Sequence, residues 1–316
     1  MRLNEITIEI TQQCTNRCIY CSSLSDMEKQ EALDFDVICE VVDDAIDIGT
    51  TIISLSGGEP FLRKDVVKIV DYINLKGIKP RLYSSGIYCD NGHYSAIPES
   101  LLEEVKEKLS ALIFNFEAID ADLYATIMGT EQANLALLDE AIQNAIKLSI
   151  PVEAHLVPMH CNYRHIPEVL EKLYSMGITN VSFLRLVTQG RVLDNRNIVE
   201  LNNTEQQELT QILDVCKSKY EDKIRLGLPF SAKRAACGTG TVKLTVRYDG
   251  CVFPCEAFKD GMMELSQDVK ADNVKNRRLI DIYEHSAYLK KVRDGLQVFS
   301  DSDCNEKCYG QFLRQK

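Results

Sequence analysis

Apolar and polar residues alternate in EITIEI, from Glu5 to Ile10, which is the period of a strand with one buried face. The next stretch, FDVICEVVDDAIDIG, changes period: Val37, Ile38, Val41, Val42, Ala45 and Ile46 recur at helical spacing. The two patterns then trade places along the chain. TIISL, KPRLYSS, ALIFNFEAI, PVEAHLVPM and NVSFLRLV read as strands two to six. DVVKIVDYINLKG, stopped by Gly77, SLLEEVKEKL, LALLDEAIQNAIKLS, IPEVLEKLYSMG and TEQQELTQILDVCKSKY read as the helices that follow them. Six β–α units in series predict a parallel sheet with right-handed crossovers. Curled, it is an α/β partial (βα)6 barrel, an open version of the eightfold TIM barrel, with function at the C-terminal ends of its strands.

Past Leu226 the pattern changes. In GTGTVKLTVRYDGCVFPC, Val242, Leu244 and Val246 share a face, Asp249-Gly250 turns the chain, and CVFPC resumes. Asp-Gly between alternating runs is a hairpin signal. IDIYEHSAYLKKVRDG reads as helix, and DCNEKCYGQF follows. Two domains are expected: the partial barrel over residues 1–225, and a small cysteine-rich β-hairpin plus helix module over residues 226–316. The module has little apolar content for its length, so a metal centre and docking on the barrel are expected to hold it.

Composition narrows the function. The 316 residues are 45% hydrophobic, enough for one large α/β domain with a smaller partner. No apolar run reaches the roughly 20 residues of a membrane span. MRLNEITIEI lacks the basic region and apolar core of a secretion signal. A cytoplasmic protein is expected, with neither membrane nor nucleic acid as partner: net charge is −11 and no Lys/Arg block is present to neutralise phosphates. Twelve cysteines in a reducing compartment suggest metal binding before disulfides.

Cys14, Cys18 and Cys21 form a CxxxCxxC triplet in the loop after strand one. Iron–sulfur clusters are held by thiolates. Three ligands on a four-iron cubane leave one iron open to substrate or cofactor, the logic that separates open catalytic sites from closed structural ones. A zinc site completed by a distant residue is the alternative. An aromatic residue, Tyr20, precedes the last cysteine, and SGGEP, from Ser56 to Pro60, ends strand two. Together these resemble the radical SAM enzymes. The resemblance implies that Cys14, Cys18 and Cys21 hold a [4Fe–4S] cluster whose open iron chelates S-adenosylmethionine (SAM). It implies that the backbone around Tyr20 contacts the adenine, and that Gly57, Gly58 and Glu59 receive the methionine amino group. Ser84, at the end of strand three, and Asn115, on strand four, are candidate SAM contacts. Arg185, on strand six, is the candidate partner of the SAM carboxylate, since a guanidinium pairs with a carboxylate bidentately.

A second cysteine set lies in the module. Cys237, twelve residues, Gly250, four residues and Cys255 precede Cys304 and Cys308. This is similar to the twitch module, the short form of the SPASM auxiliary-cluster domain, although the last pair is CxxxC here where twitch modules commonly have CxxC. The resemblance implies one auxiliary [4Fe–4S] cluster on Cys237, Cys255, Cys304 and Cys308. Four thiolates also suit zinc. At about 3.3 Å per residue, an extended CVFPC separates Cys251 from Cys255 by roughly 13 Å, too far to share a cubane. Cys251 is therefore left free, as a candidate hydrogen-atom donor to a substrate radical. Cys39 and Cys216 read as small core residues. His155, His160 and His165 read as polar groups at a strand end or cap, and Glu117 and Asp120 as solvated loop carboxylates.

By resemblance, the activity is reductive cleavage of SAM to a 5′-deoxyadenosyl radical that abstracts hydrogen from a peptide or protein, as in maturases that cross-link, oxidise or epimerise ribosomally made peptides. An external donor such as flavodoxin or ferredoxin would supply the electron. The alternatives are a dehydrogenase or epimerase of a sugar or other small molecule, and a non-catalytic iron–sulfur electron carrier.

Overall fold

Residues 2–226, 237–259, 264–266, 269–298 and 308–314 are described by a computed structural model. β1 (Glu5–Thr11), β2 (Ile52–Gly57), β3 (Arg81–Ser84), β6 (Ala111–Asn115), β7 (Val152–Leu156), β8 (Val181–Phe183) and β9 (Ile224–Leu226) run parallel in that order. Between them run α1 (Phe35–Asp47), α2 (Val66–Leu75), α3 (Glu99–Val105), α4 (Ala121–Met128), α5 (Asn134–Lys147), α6 (Ile166–Ser175), α7 (Arg196–Val199) and α8 (Asn203–Tyr220). Ile6, Ile8 and Ile10 of β1 are fully buried in the core that also takes Ile38, Val41, Val42 and Ala45 of α1. Burying each such branched side chain stabilises by about 1.5–3 kcal/mol.

The sheet does not stop at the first strand. β10 (Lys243–Val246) lies on the far side of β1 and parallel to it, with Glu5 opposite Lys243 and Ile8 opposite Val246. β11 (Val252–Phe253) turns back antiparallel on β10 through Asp249-Gly250. The module thus docks by continuing the barrel's own sheet. Arg278 adds a second tie: its guanidinium pairs with both oxygens of Asp44, a buried residue of α1. Ile280 N also donates to Asp44 Oδ2, at 3.4 Å. β12 (Glu264–Ser266) and β13 (Val269–Lys270) pair antiparallel.

The structure differs from the expected elements in four places. A hairpin of β4 (Ile87–Asp90) and β5 (His93–Ala96) turns on Asn91-Gly92, both at positive φ, the type I′ geometry that suits strand twist. α4 precedes α5 where the pattern suggested loop. β9 adds a strand after α8. The single C-terminal helix is two, α9 (Leu279–His285) and α10 (Ala287–Val298), broken at Ser286, whose φ and ψ are extended. A short helix, Tyr309–Arg314, follows. Among the described residues no helix is long and apolar enough to cross a membrane.

Candidate active site

The cysteine loop leaves the end of β1 and is held on three sides. On the first, Gly58 N donates to Thr11 O at 2.7 Å and Glu59 N to Gln13 O at 2.8 Å. A Cβ on Gly57 would overlap Thr11 O, and one on Gly58 would sit 2.5 Å from the Gln13 carbonyl carbon. Only glycine lets the end of β2 lie this close to the loop backbone. On the second side, Arg17 N and Ile19 N donate to Met128 O and Ile127 O, at 3.0 and 2.9 Å, in the last turn of α4. On the third, Arg191 N donates to Cys21 O at 3.1 Å, and its guanidinium reaches Cys18 O at 3.4 Å and Asp26 at 3.5 Å.

Cys14, Cys18 and Cys21 all line one cavity of about 260 Å³, together with Tyr20, Gly57, Gly58, Ser84, Asn115 and Arg185. Nine of the predicted first-site residues therefore meet there, at the C-terminal ends of the strands. Burial pushes the Cys14 and Cys18 thiols well above their ordinary range. Carboxylates and neighbouring thiols push the same way, and Arg191 opposes them. Buried thiols so placed become thiolates when a strongly cationic centre binds them. Among the described residues no three His, Cys, Asp or Glu side chains converge as ligands of a single ion. The three cysteines instead share the lining of this one cavity, and three thiolates are the donor type that holds an iron–sulfur cluster. One guanidinium nitrogen of Arg185 is buried without a hydrogen-bond partner, a donor that suits a carboxylate in the cavity. These residues fit a cluster with SAM beside it.

Glu59 stands apart from the cavity lining. Its carboxylate is fully buried and takes four donors: Phe61 N at 3.2 Å and Ser84 Oγ at 2.9 Å on Oε1, Ser85 N at 2.6 Å and Ser85 Oγ at 2.5 Å on Oε2. Burial raises its pKa against the pull of those donors. The side chain bolts the end of β2 to the end of β3. The Gly57 and Gly58 backbone is the part of the motif that faces the cavity. Ser84 Oγ, which donates to Glu59, also accepts from Gly86 N at 2.9 Å.

Several residues at the site went unread in the sequence. Glu117 is fully buried, not solvated. Tyr20 Oη donates to its Oε1 at 2.8 Å and Val157 N to its Oε2 at 2.9 Å. Burial pushes the Glu117 carboxyl up to about 7, against these donors. Asn115 Nδ2 donates to Tyr20 Oη at 3.3 Å. Asp120, by contrast, is exposed and caps α4 by accepting from Leu123 N. Glu9, Glu256 and Lys259 line the cavity from the β1 and module side. Lys259 Nζ lies 2.5 Å from Glu9 Oε1 and 2.6 Å from Glu256 Oε2. Burial disfavours that ammonium, but Glu256 and Glu9 hold its pKa above the ordinary value. None of these three belongs to a sequence motif. Glu9 stands at a polar position of EITIEI, so the alternation gave no sign that it is buried.

The second cysteine set gathers at the edge of the sheet. Cys255 is buried, while Cys237 and Cys308 are half-buried. Burial pushes the Cys255 thiol up to about 11, with Lys243 opposing and Cys308 adding to the rise. Lys243 is in turn raised by Cys255 and Cys237, against its own burial. Cys237 and Cys255 thus both act on Lys243, and Cys308 acts on Cys255. Cys304 lies outside the described residues. Cys251 is not among the cavity-lining residues: its sulfur accepts from Asn273 Nδ2 at 3.5 Å. Cys255 itself is extended, with φ −171° and ψ 178°, and a 3-10 turn, Glu256–Phe258, begins directly after it. The histidines stay apart. His155 is buried against the Tyr83 ring, centroids 5.3 Å apart, and His160 Nδ1 lies 2.7 Å from Glu205 Oε1.

Known proteins share these features. A model of the Radical SAM superfamily matches residues 8–173, and one of an iron–sulfur cluster-binding domain, SPASM, matches residues 237–309. The PqqA peptide cyclase of Methylobacterium nodulans is 24% identical over 292 residues, covering 90% of this chain and 74% of its own. A probable GTP 3′,8-cyclase of Methanococcus maripaludis is 23% identical over 282 residues, covering 85% of this chain and 90% of its own. Among solved structures, Streptococcus suis SuiB bound to precursor peptide SuiA superposes with a TM-score of 0.76 at 16% identity, covering 100% of this chain and 74% of that one. At that identity the likeness is one of fold. The chain belongs to the radical SAM superfamily and carries a SPASM iron–sulfur cluster-binding domain on its C-terminal side.

Proposed function

We propose that this radical SAM enzyme modifies a peptide or protein substrate, as a maturase that forms a cross-link, oxidises or epimerises a residue. The observation that carries the reading is the joint cavity. Cys14, Cys18 and Cys21 line it from the barrel, and Glu256 and Lys259 line it from the module. A chain segment laid between barrel and module would meet both. The match to PqqA peptide cyclases and the fold shared with SuiB, solved with a precursor peptide, support the substrate class.

In this reading Cys14, Cys18 and Cys21 hold the SAM-binding [4Fe–4S] cluster, and Cys237, Cys255, Cys304 and Cys308 hold one auxiliary cluster. Bound and reduced, the first cluster and SAM would supply radical chemistry for hydrogen-atom abstraction from the substrate. The protein's own residues orient and shield. Gly57 and Gly58 would offer backbone carbonyls to the methionine ammonium, and the unpartnered nitrogen of Arg185 would pair with its carboxylate. Tyr20, tied to Glu117 and Asn115, fixes the loop beside the adenine. Glu59 sets the geometry of β2 and β3 and leaves SAM contact to its neighbours. Electrons come from an external donor such as flavodoxin or ferredoxin in the cytoplasm.

The test is the anaerobically reconstituted enzyme with dithionite, SAM and peptides encoded by short reading frames beside its gene. The expected result is 5′-deoxyadenosine together with a peptide whose mass has fallen by two hydrogens, or is unchanged in ordinary water and raised by one deuterium-for-hydrogen exchange in heavy water. A second reading, a small-molecule substrate, is favoured by the match to the probable GTP 3′,8-cyclase over 90% of that protein's length. Modification of a sugar or nucleotide with every peptide untouched would select it.

A further inference from the structure

The floor of the cavity on the module side is an ion triad that none of the SAM-binding residues needs. Glu9, at the end of β1, is 1% exposed and Lys259, after β11, is 4% exposed. Lys259 Nζ reaches Glu9 Oε1 at 2.5 Å, Glu256 Oε2 at 2.6 Å and Ser23 Oγ at 3.0 Å. An ammonium has three donors, so these contacts use all of them. Ser23 Oγ in turn donates to Glu9 Oε1 at 2.6 Å, and Thr245 Oγ1 donates to Glu256 Oε1 at 2.9 Å. One oxygen is left over. Glu9 Oε2 is buried on a residue lining the cavity and has no hydrogen-bond partner.

The charge arithmetic has a sign. Two carboxylates and one ammonium leave a net charge of −1, and the only cation of the triad has no donor to offer. What the triad leaves unpaired beside the cavity is an acceptor. A buried carboxylate oxygen without a partner costs roughly 1–3 kcal/mol or more, and a charged donor removes that cost. A neutral donor would remove only part of that cost, an apolar group would leave it standing, and an anion would add repulsion.

We propose that Glu9, held by Lys259 and Ser23, is a substrate-anchoring residue that selects a cationic group, an ammonium or guanidinium, on the part of the substrate lying between barrel and module. The proposal rests on the peptide reading only for the source of that group, a lysine or arginine side chain. The same loop that carries Cys21 carries Ser23, so the anchor sits next to the cluster loop, and a substrate held there lies within the cavity that SAM shares.

The experiment measures binding to the reconstituted enzyme with SAM under argon, by saturation-transfer NMR. The probes are the blocked tripeptides acetyl-Ala-Lys-Ala-amide, its norleucine isostere and its glutamate counterpart, with n-hexylamine and n-hexanol as a second pair. The lysine tripeptide is expected to bind roughly tenfold tighter than the norleucine one, the size of one charge-assisted hydrogen bond. Glu9→Gln is expected to bring that ratio to parity, and Glu9→Asp, which keeps the charge, to retain the preference. Iron content and melting midpoint of each variant separate loss of the anchor from loss of the fold. Parity in the wild type, a preference for glutamate, a lysine preference that survives Glu9→Gln, or no binding by any probe overturns the anchor. Should n-hexylamine bind over n-hexanol in a Glu9-dependent way while no tripeptide binds, the anchor stands and the peptide substrate falls.

Discussion

Replacing Glu59 by Gln separates two roles that the GGEP motif can have. Each Glu59 oxygen holds one backbone N–H, from Phe61 or from Ser85. A serine hydroxyl can rotate to accept, but a backbone N–H cannot. Whichever way the glutamine amide is flipped, its NH2 faces a buried donor. The change removes one charge-assisted hydrogen bond, about 1.5–3 kcal/mol, and strands one N–H, about 1–3 kcal/mol. A total of about 2.5–6 kcal/mol is expected. Unfolding entropy near 2.1 cal/mol/K per residue gives roughly 0.7 kcal/mol per kelvin for 316 residues, so the melting midpoint should fall by about 4–9 °C. The assay is thermal unfolding of the cluster-free protein without SAM, paired with equilibrium dialysis of SAM on the reconstituted protein. Weak SAM binding with the melting midpoint of the SAM-free protein unmoved would refute the bolt. That result would return the carboxylate to direct contact with the methionine ammonium.

Further outcomes follow from other positions. Gly58→Ala forces a Cβ into the Gln13 carbonyl, so the first cluster should be lost and the auxiliary one kept: iron analysis should drop from about eight to about four per chain. Glu117 has a folded pKa of about 7 against an ordinary 4.5. Its stabilising contribution is therefore complete below pH 4.5 and lost as pH rises through 7, a change of about 3 kcal/mol. Glu117→Gln should lack that change, so unfolding curves of the two cluster-free proteins should diverge between pH 4.5 and 7 and run parallel above about pH 8. Cys251→Ala, removing a thiol that faces Asn273, should keep full iron content and normal 5′-deoxyadenosine formation. Loss of auxiliary iron in that variant would make Cys251 a ligand. Asp44→Ala leaves Arg278 without its partner on α1 and should raise the rate of proteolysis in the module well before that in the barrel.

Much of this fold can be read from periodicity because its strands are buried and its helices amphipathic. EITIEI and the α1 stripe announce themselves, and so does the Asp249-Gly250 hairpin. The Asn91-Gly92 hairpin carried as strong a turn signal, but its strands are too polar and short to stand out between β3 and α3. β9 is three residues with Arg225 at its centre, below the length at which alternation is visible. At the site, cysteines and glycines were legible because spacing alone carries their chemistry. Glu59 was legible as a motif residue, yet the partners of its carboxylate depend on Ser84 and Ser85, brought close by pairing of β2 with β3. Glu9 and Lys259 are 250 positions apart, and the donors to Glu117, Tyr20 and Val157, are 97 and 40 positions from it. Contacts of that range are set by tertiary packing, which no local pattern records.

The parallel pairing of β10 with β1 also has a consequence for how the chain is made. An unpaired strand edge is a template for wrong partners. β2 is complete at Gly57, but β1 receives its other neighbour only when the chain reaches Val246. At roughly 5–20 residues per second, the intervening stretch of about 190 residues keeps that edge open on the ribosome for about 10–40 s. A message cut short before Lys243 would therefore release a barrel with its first strand bare. The module completes the sheet as well as carrying cysteines, and its synthesis supplies the strand that covers the open edge of β1.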